Sequence, residues 1–266
     1  MTFDFEDGNG PVLAHRHVNP DGSLGGWVAD TAHVAKTAYV GVNARVYGNA
    51  KVFGDTKVYG NAQVFDNAII FDNACVYANT KVYGNAQVYD NAKVSDNTCV
   101  YDSAQVYGYA KVHDNTQVFG SAKVYEYAGL YNNARVFENA QVYGYAQVSG
   151  NAEVYGHPKI YGSALVSGYA KVFNNAQIYR YAKVYGNAQV FGYAKVFGYA
   201  KVFSNAKIYD YTEVYGNARI HNDMPVKNNP WTDFNTKENS TFISYLNKKL
   251  YLFILLVLLI YIIYSS

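Results

Sequence analysis

Cysteine, methionine, tryptophan and proline are all scarce in this 266-residue chain, at two, two, two and five residues. Two cysteines, Cys75 and Cys99, cannot supply the disulfide framework that holds small secreted domains together. No Cys/His spacing suits zinc, so a metal site is not expected. Charge is sparse too, at 16% of residues, and a formal net charge of +2 is too small to point to nucleic acid, whose capture rests on clustered Lys and Arg. Neither a Walker-type nor a dinucleotide glycine pattern occurs, which removes the common phosphate-cradling loops. The first residues, Met1 to Gly8, are acidic and lack the basic stretch and apolar run of a secretory signal, so a cytosolic start is the expectation. What is abundant is tyrosine: 29 Tyr and 14 Phe bring the aromatic share to 17%. Composition this one-sided signals repetition.

The repeat is a hexad. From Val28 to Ile220 every sixth residue is Val, Ile or Leu, with no insertion or deletion. Two residues before each aliphatic, from Ala32 to Ala218, stands Ala or Thr, and Pro158 is the one intruder. The unit Asn49-Ala50-Lys51-Val52-Phe53-Gly54 is representative. Ala and Val lie two apart and share one face of a short strand, while Lys or Gln and the aromatic residue take the other. Gly or Asp followed by Asn then turns the chain, because Gly and Asn tolerate positive φ. Strands so short cannot bury a core alone, so successive units must stack into coils around a column of Val and Ala.

The aromatic position tests how many units make a coil. Between Tyr47 and Tyr215 it is aromatic except at Ser95, His113, Ser149 and Ser167, and these four are separated by whole multiples of three hexads. The series Tyr47, Phe65, Tyr83 to Tyr209 never breaks, nor does the series Phe53, Phe71, Tyr89 to Tyr215. A triangular coil of three hexads explains this; a coil of two does not. The spacing predicts an all-β, single-stranded parallel β-helix of roughly eleven coils, about 50 Å tall at a strand spacing of ~4.8 Å. Rings at that interval can stack, and corner Asn amides can bond from coil to coil. Cys75 and Cys99, four hexads apart, should lie on different faces and remain unpaired.

In these hexads the chain resembles the left-handed β-helix hexapeptide-repeat superfamily, many of whose members are acyl- or acetyltransferases. The resemblance spans Gly25 to Asn222, and the opening Gly25-Gly26-Trp27-Val28 is similar to that of some bacterial and phage proteins of the group. One departure stands out: the residue after the aliphatic is commonly small or acidic there, and here it is Tyr or Phe. Left-handed winding is what the resemblance implies, since ordinary parallel crossovers favour the right hand. It also implies a catalytic His and an acyl-CoA groove between subunits, often helped by a loop extruded from the coils. No hexad here is interrupted to release such a loop.

Outside the repeat, residues 1–24 are expected to cap one end of the β-helix (25–222), whose exposed strand edges otherwise invite polymerisation. Ala29, Ala35 and Gly41 replace aromatics in the first coil and leave room for the cap. Residues 223–247, with Pro225 and Pro230, read as a polar linker. Residues 248–266 then form an apolar run behind Lys248 and Lys249: Leu250, Phe253, Leu256, Ile260 and Tyr264 belong to a stretch uninterrupted by charge. A C-terminal transmembrane helix is expected, as a single-pass anchor with the β-helix facing the cytosol.

Chemistry is thin. The lumen is expected to hold no acid, base or nucleophile beyond Thr56, Thr80, Thr98, Thr116 and Thr212. His113 is the one histidine expected at an outward strand position in mid-array, with Lys111 beside it, and a solvent-exposed break in a Tyr ladder is the simpler account of it than catalysis. His33 and His221 belong to the end coils, His157 to a corner before Pro158, and His15 and His17 lie outside the repeat. Lys interleaved with Tyr could stack on single-stranded nucleic acid or sugars, but the periodicity already explains that pattern. The sequence therefore favours a non-enzymatic, membrane-anchored scaffold, needing no cofactor, whose aromatic and Lys/Gln faces bind a protein or glycan partner or further copies of the chain. A diverged acyltransferase using His113 and acyl-CoA at a subunit interface is the alternative.

Overall fold

A computed structural model describes residues 1–221 and the short strand Pro225–Val226. Three parallel sheets wrap a closed column. Wall one starts at Leu24–Ala29 and continues through Arg45–Val46 and Gln63–Val64 to Lys207–Ile208; wall two runs from His33–Val34 to Glu213–Val214; wall three runs from Tyr39–Val40 to Arg219–Ile220. Walls two and three each contain 11 strands among the described residues. Most strands are as short as Lys51–Val52, and none could persist alone. Their partner is always the unit three hexads away: Ile69 pairs with Lys51 on one side and Gln87 on the other, and Ile70 with Val52 and Val88. The coil is thus three hexads long, and Ser95 and His113 stand on the same wall, continuing the paired strands Lys93–Val94 and Lys111–Val112.

Backbone donors find acceptors in the next coil, as Arg45 N does at Ala62 O (3.0 Å) and Tyr47 N at Val64 O (3.0 Å). This satisfies the main chain while the aliphatic and Ala positions close the lumen, where Val52, Ala62 and Ile70 are wholly buried. Burial of one Val side chain stabilises by about 1.5–3 kcal/mol, so a dry column of them is the main source of cohesion.

The corners take the left-handed backbone at Gly, as expected, and otherwise at Asp rather than at the Asn that follows: φ is 66° at Gly48 and 57° at Asp66, directly above it, while Asn49 and Asn67 are not left-handed. For an L residue that conformation costs about 1–2 kcal/mol. Asp offsets the cost by accepting from the amide one coil on, as Asp66 Oδ2 does from Gly84 N at 3.1 Å. Beside these corners an Asn ladder climbs wall one's edge, Asn61 to Asn79, Asn97, Asn115, Asn133 and Asn151, with amide-to-carbonyl distances of 3.0–3.2 Å. Tyr169 takes the next place, and the ladder resumes from Asn187 to Asn205.

At the N-terminal end β1 (Thr2–Phe3) and β2 (Val12–Val18) add to wall one antiparallel, β2 pairing with β3 (Leu24–Ala29). Phe5 lies buried on the ring of Tyr47, in the space that Ala29 leaves. The start of wall three is closed by side chains instead: Asn19 Oδ1 accepts from Val40 N (2.8 Å), and His17 Nε2 lies 2.9 Å from Ala38 O. At the other end Pro225–Val226 pairs with Lys207–Ile208 and extends the array one hexad beyond Ile220.

Candidate functional site

The aromatic ladders form as the three-hexad coil requires. Phe65, Tyr83, Tyr101 and Phe119 stack with centroids 4.8–5.0 Å apart and planes within 4° on wall one; Phe71, Tyr89, Tyr107 and Tyr125 stack at 4.6–4.9 Å with planes within 7° on wall two. Each ring covers the next, so most ladder rings are only partly exposed. The most exposed tyrosines instead occupy the corner slot usually held by Asn. Tyr109, Tyr127 and Tyr145 stack along one edge of wall three, and Tyr181 and Tyr199 continue it after Ser163.

His113 sits on wall three with its ring edge-on to Tyr131 (4.5 Å, 62°). Its Nδ1 lies 3.3 Å from Asp114 Oδ2. Asp96, one coil below Asp114, completes a cluster in which three possible ligand atoms fall within 4.8 Å of one another. Ser95 Oγ donates to Asp96 Oδ2 at 2.9 Å, so this hydroxyl on the neighbouring coil bonds to an acid and not to the imidazole. No nucleophile–base pair results. Both carboxylates are already engaged by the corner: Asp96 Oδ2 accepts from Asp114 N (3.3 Å) and Asp114 Oδ2 from Asn132 N (2.7 Å). The Asn132 amide is the main reason the Asp114 carboxyl is held below the usual range; partial burial opposes it and His113 adds to it. Asp90 and Asp102 make the same corner bonds with no histidine nearby, so ladder geometry alone accounts for the cluster. Sequence reasoning singled out His113 and Lys111 but missed Asp96 and Asp114. The signal was present, since each acid directly follows a residue that breaks the ladder.

The remaining histidines have local partners. His33 tilts against Phe53 and His221 against Phe203, at 5.3 and 5.4 Å. His15 meets Asp30, and His157 stands exposed before Pro158, beside the longer strands Glu153–Gly156 and Lys171–Asn174. Cys75 lies on wall three and Cys99 on wall one, both free. The anchor residues Lys248, Lys249, Leu250, Phe253, Leu256, Ile260 and Tyr264 fall outside the described residues, among which no helix is long and apolar enough to cross a membrane.

Charge is distributed unevenly over the walls. On wall one Glu153 stands between Arg135 and Lys171, bonding both at 3.2 and 2.8 Å, and on wall two Glu213 bonds Lys195 at 2.9 Å. On wall three Lys183, Lys201 and Arg219 are directly in register, and none has an acidic partner among the described residues. With Tyr181, Tyr199 and Asn217 they line an open depression. Neither aromatic periodicity nor net charge reveals this stack of like charge; only charge followed at three-hexad intervals does.

No protein-family model matches the chain, and no curated protein matches it.

Proposed function

We propose that the chain is a membrane-tethered, non-enzymatic scaffold: a left-handed β-helix held at a bilayer by residues 248–266, with the walls displayed to the cytosol for a protein or glycan partner or for further copies. The observation that carries the non-enzymatic part is the bonding around His113, where Ser95 and both carboxylates serve corner and ladder contacts. Among the described residues the lumen adds no acid or base, only aliphatics, Ala, Thr and Pro158. Binding is assigned to the exposed corner tyrosines, whose rigid amphipathic rings suit contact surfaces. The tether is supported by the uncharged run that follows Lys248 and Lys249.

Fractionation of cells expressing the chain with and without residues 248–266, coupled to cross-linking, tests the proposal. The full chain should sediment with membranes, resist alkaline extraction and cross-link to a partner or to itself; soluble behaviour of both versions contradicts the tether. The acyltransferase alternative has one favouring observation, the His113–Asp114 contact. It requires acetyl-CoA or a longer acyl-CoA to raise the melting temperature of the chain, and His113→Ala to abolish that shift.

A further inference from the structure

We infer that the last three coils of wall three form a binding face for anionic lipid headgroups, so that the β-helix leans on the bilayer that holds it. The inference rests on the tether proposed above and adds to it a specific surface and lipid chemistry.

Lys183, Lys201 and Arg219 pair in register, one per coil, and so stand about 4.8 Å apart along the wall. Like charges directly opposite one another on a sheet destabilise it. At Arg135, Glu153 and Lys171 a glutamate separates the cations, and the like pair Lys93 and Lys111 is flanked by Cys75 and Gly129, with no third cation in register. Here no acid intervenes, and Arg180 adds a fourth cation at the adjoining corner, its guanidinium 5.9 Å over Phe197. Arg219 rests likewise over Phe203, at 5.8 Å. An external layer of negative charge would remove the repulsion.

Two further features select a lipid surface. Tyr181 and Tyr199, 54% and 61% exposed, flank the cations, and tyrosine beside Lys and Arg is the composition that settles at headgroup level. The location also fits. Wall three ends at Ile220, and the apolar run begins at Leu250. Residues 227–249 separate that run from the last described strand, Pro225–Val226 on wall one, and a random chain of their length spans roughly 25 Å, enough for these coils to reach the membrane surface. Juxtamembrane cations gain about 1 kcal/mol each from an anionic leaflet, or about five-fold each in the fraction of molecules lying on it.

The experiment uses the full chain with Cys75→Ser and Cys99→Ser, carrying Asn217→Cys labelled with an environment-sensitive dye, and a control labelled through Asn175→Cys at the corner between walls one and two. Each is mixed with vesicles of phosphatidylcholine alone or with added phosphatidylserine. Flotation on neutral vesicles reads the tether; dye emission reads the face. We expect flotation with both lipids, a blue shift at position 217 only with phosphatidylserine, and little change at position 175. Lys183→Gln, Lys201→Gln and Arg219→Gln together should reduce the membrane-lying fraction about 100-fold and abolish the shift. Gln already fills the same slot at Gln147, so the triple variant should fold. Flotation with no serine-dependent shift at 217 overturns the face and leaves the tether. Flotation only on phosphatidylserine, lost in the triple variant, upholds the face and overturns the tether. No flotation on either lipid overturns both. Displacement of the labelled face from phosphatidylserine by a single-stranded oligonucleotide at lower charge concentration than the lipid overturns the lipid assignment in favour of a polyanion.

Discussion

The ring of Phe5 lies on the ring of Tyr47, centroids 4.8 Å apart and planes inclined by 22°, and so starts the wall-one ladder that Phe65 and Tyr83 continue. A residue outside the repeat thereby supplies the ring that Ala29 lacks, and covers the first coil with buried apolar surface. Phe5→Ala should lower stability by about 3–5 kcal/mol locally, as other buried Phe deletions do. Thermal unfolding checks the loss, and size-exclusion chromatography should show concentration-dependent association through the uncovered edge. Unchanged melting would mean that the N-terminal segment caps nothing.

The lumen makes a sharper prediction. Thr56 and Thr98 bury hydroxyls that have no hydrogen-bond partner among the described residues, whereas Thr80 Oγ1 donates to Tyr77 O at 2.7 Å. A buried unpaired hydroxyl costs about 1–3 kcal/mol, and Val has nearly the same shape. Thr56→Val and Thr98→Val should therefore each stabilise by about 1 kcal/mol, while Thr80→Val should destabilise by about as much. Denaturant midpoints at constant m-value decide the signs.

The ladders set an alkaline limit. Burial of their rings pushes the hydroxyls of Tyr47, Tyr83, Tyr89 and Tyr125 up to about 12, from an ordinary value of 10.0. Asp66 pushes the same way at Tyr47 and Tyr83, with Arg45 opposing it at Tyr47. Above pH 10 the unfolded chain releases these protons before the folded one does, so stability is complete below pH 10 and falls as pH rises towards 12. Circular-dichroism melts across this range should show the decline alongside tyrosinate absorbance. Tyr83→Phe with Tyr89→Phe should flatten it, and Phe is already accepted in both series at Phe65 and Phe71.

The repeat itself was legible because its physics is local and periodic. Val52 and Ile70 had to face one column, and the spacing of Ser95, His113, Ser149 and Ser167 puts all four ladder breaks on one wall, where the strand pairing holds them. The depth of the rings was less legible. Tyr83 is partly sheltered by stacked neighbours in its own ladder, whereas Tyr109 and Tyr199, each in an Asn slot, project from the corner; exposure depends on that local geometry. The environment of His113 was hidden for a related reason: Asp96 lies almost a full coil away along the chain and becomes a neighbour only once the coil closes.

The most direct measurement concerns the coil itself. Cys75 pairs in register with Lys93, while Cys99 belongs to another wall. In the variant Lys93→Cys with Cys99→Ser, mild oxidation or a short dithiol-reactive cross-linker should join positions 75 and 93 within one chain, read as a mobility shift and an intact mass. The native pair, Cys75 and Cys99, should stay unlinked under the same conditions. Efficient joining of Cys75 to Cys99, with none between 75 and 93, would contradict the three-walled coil.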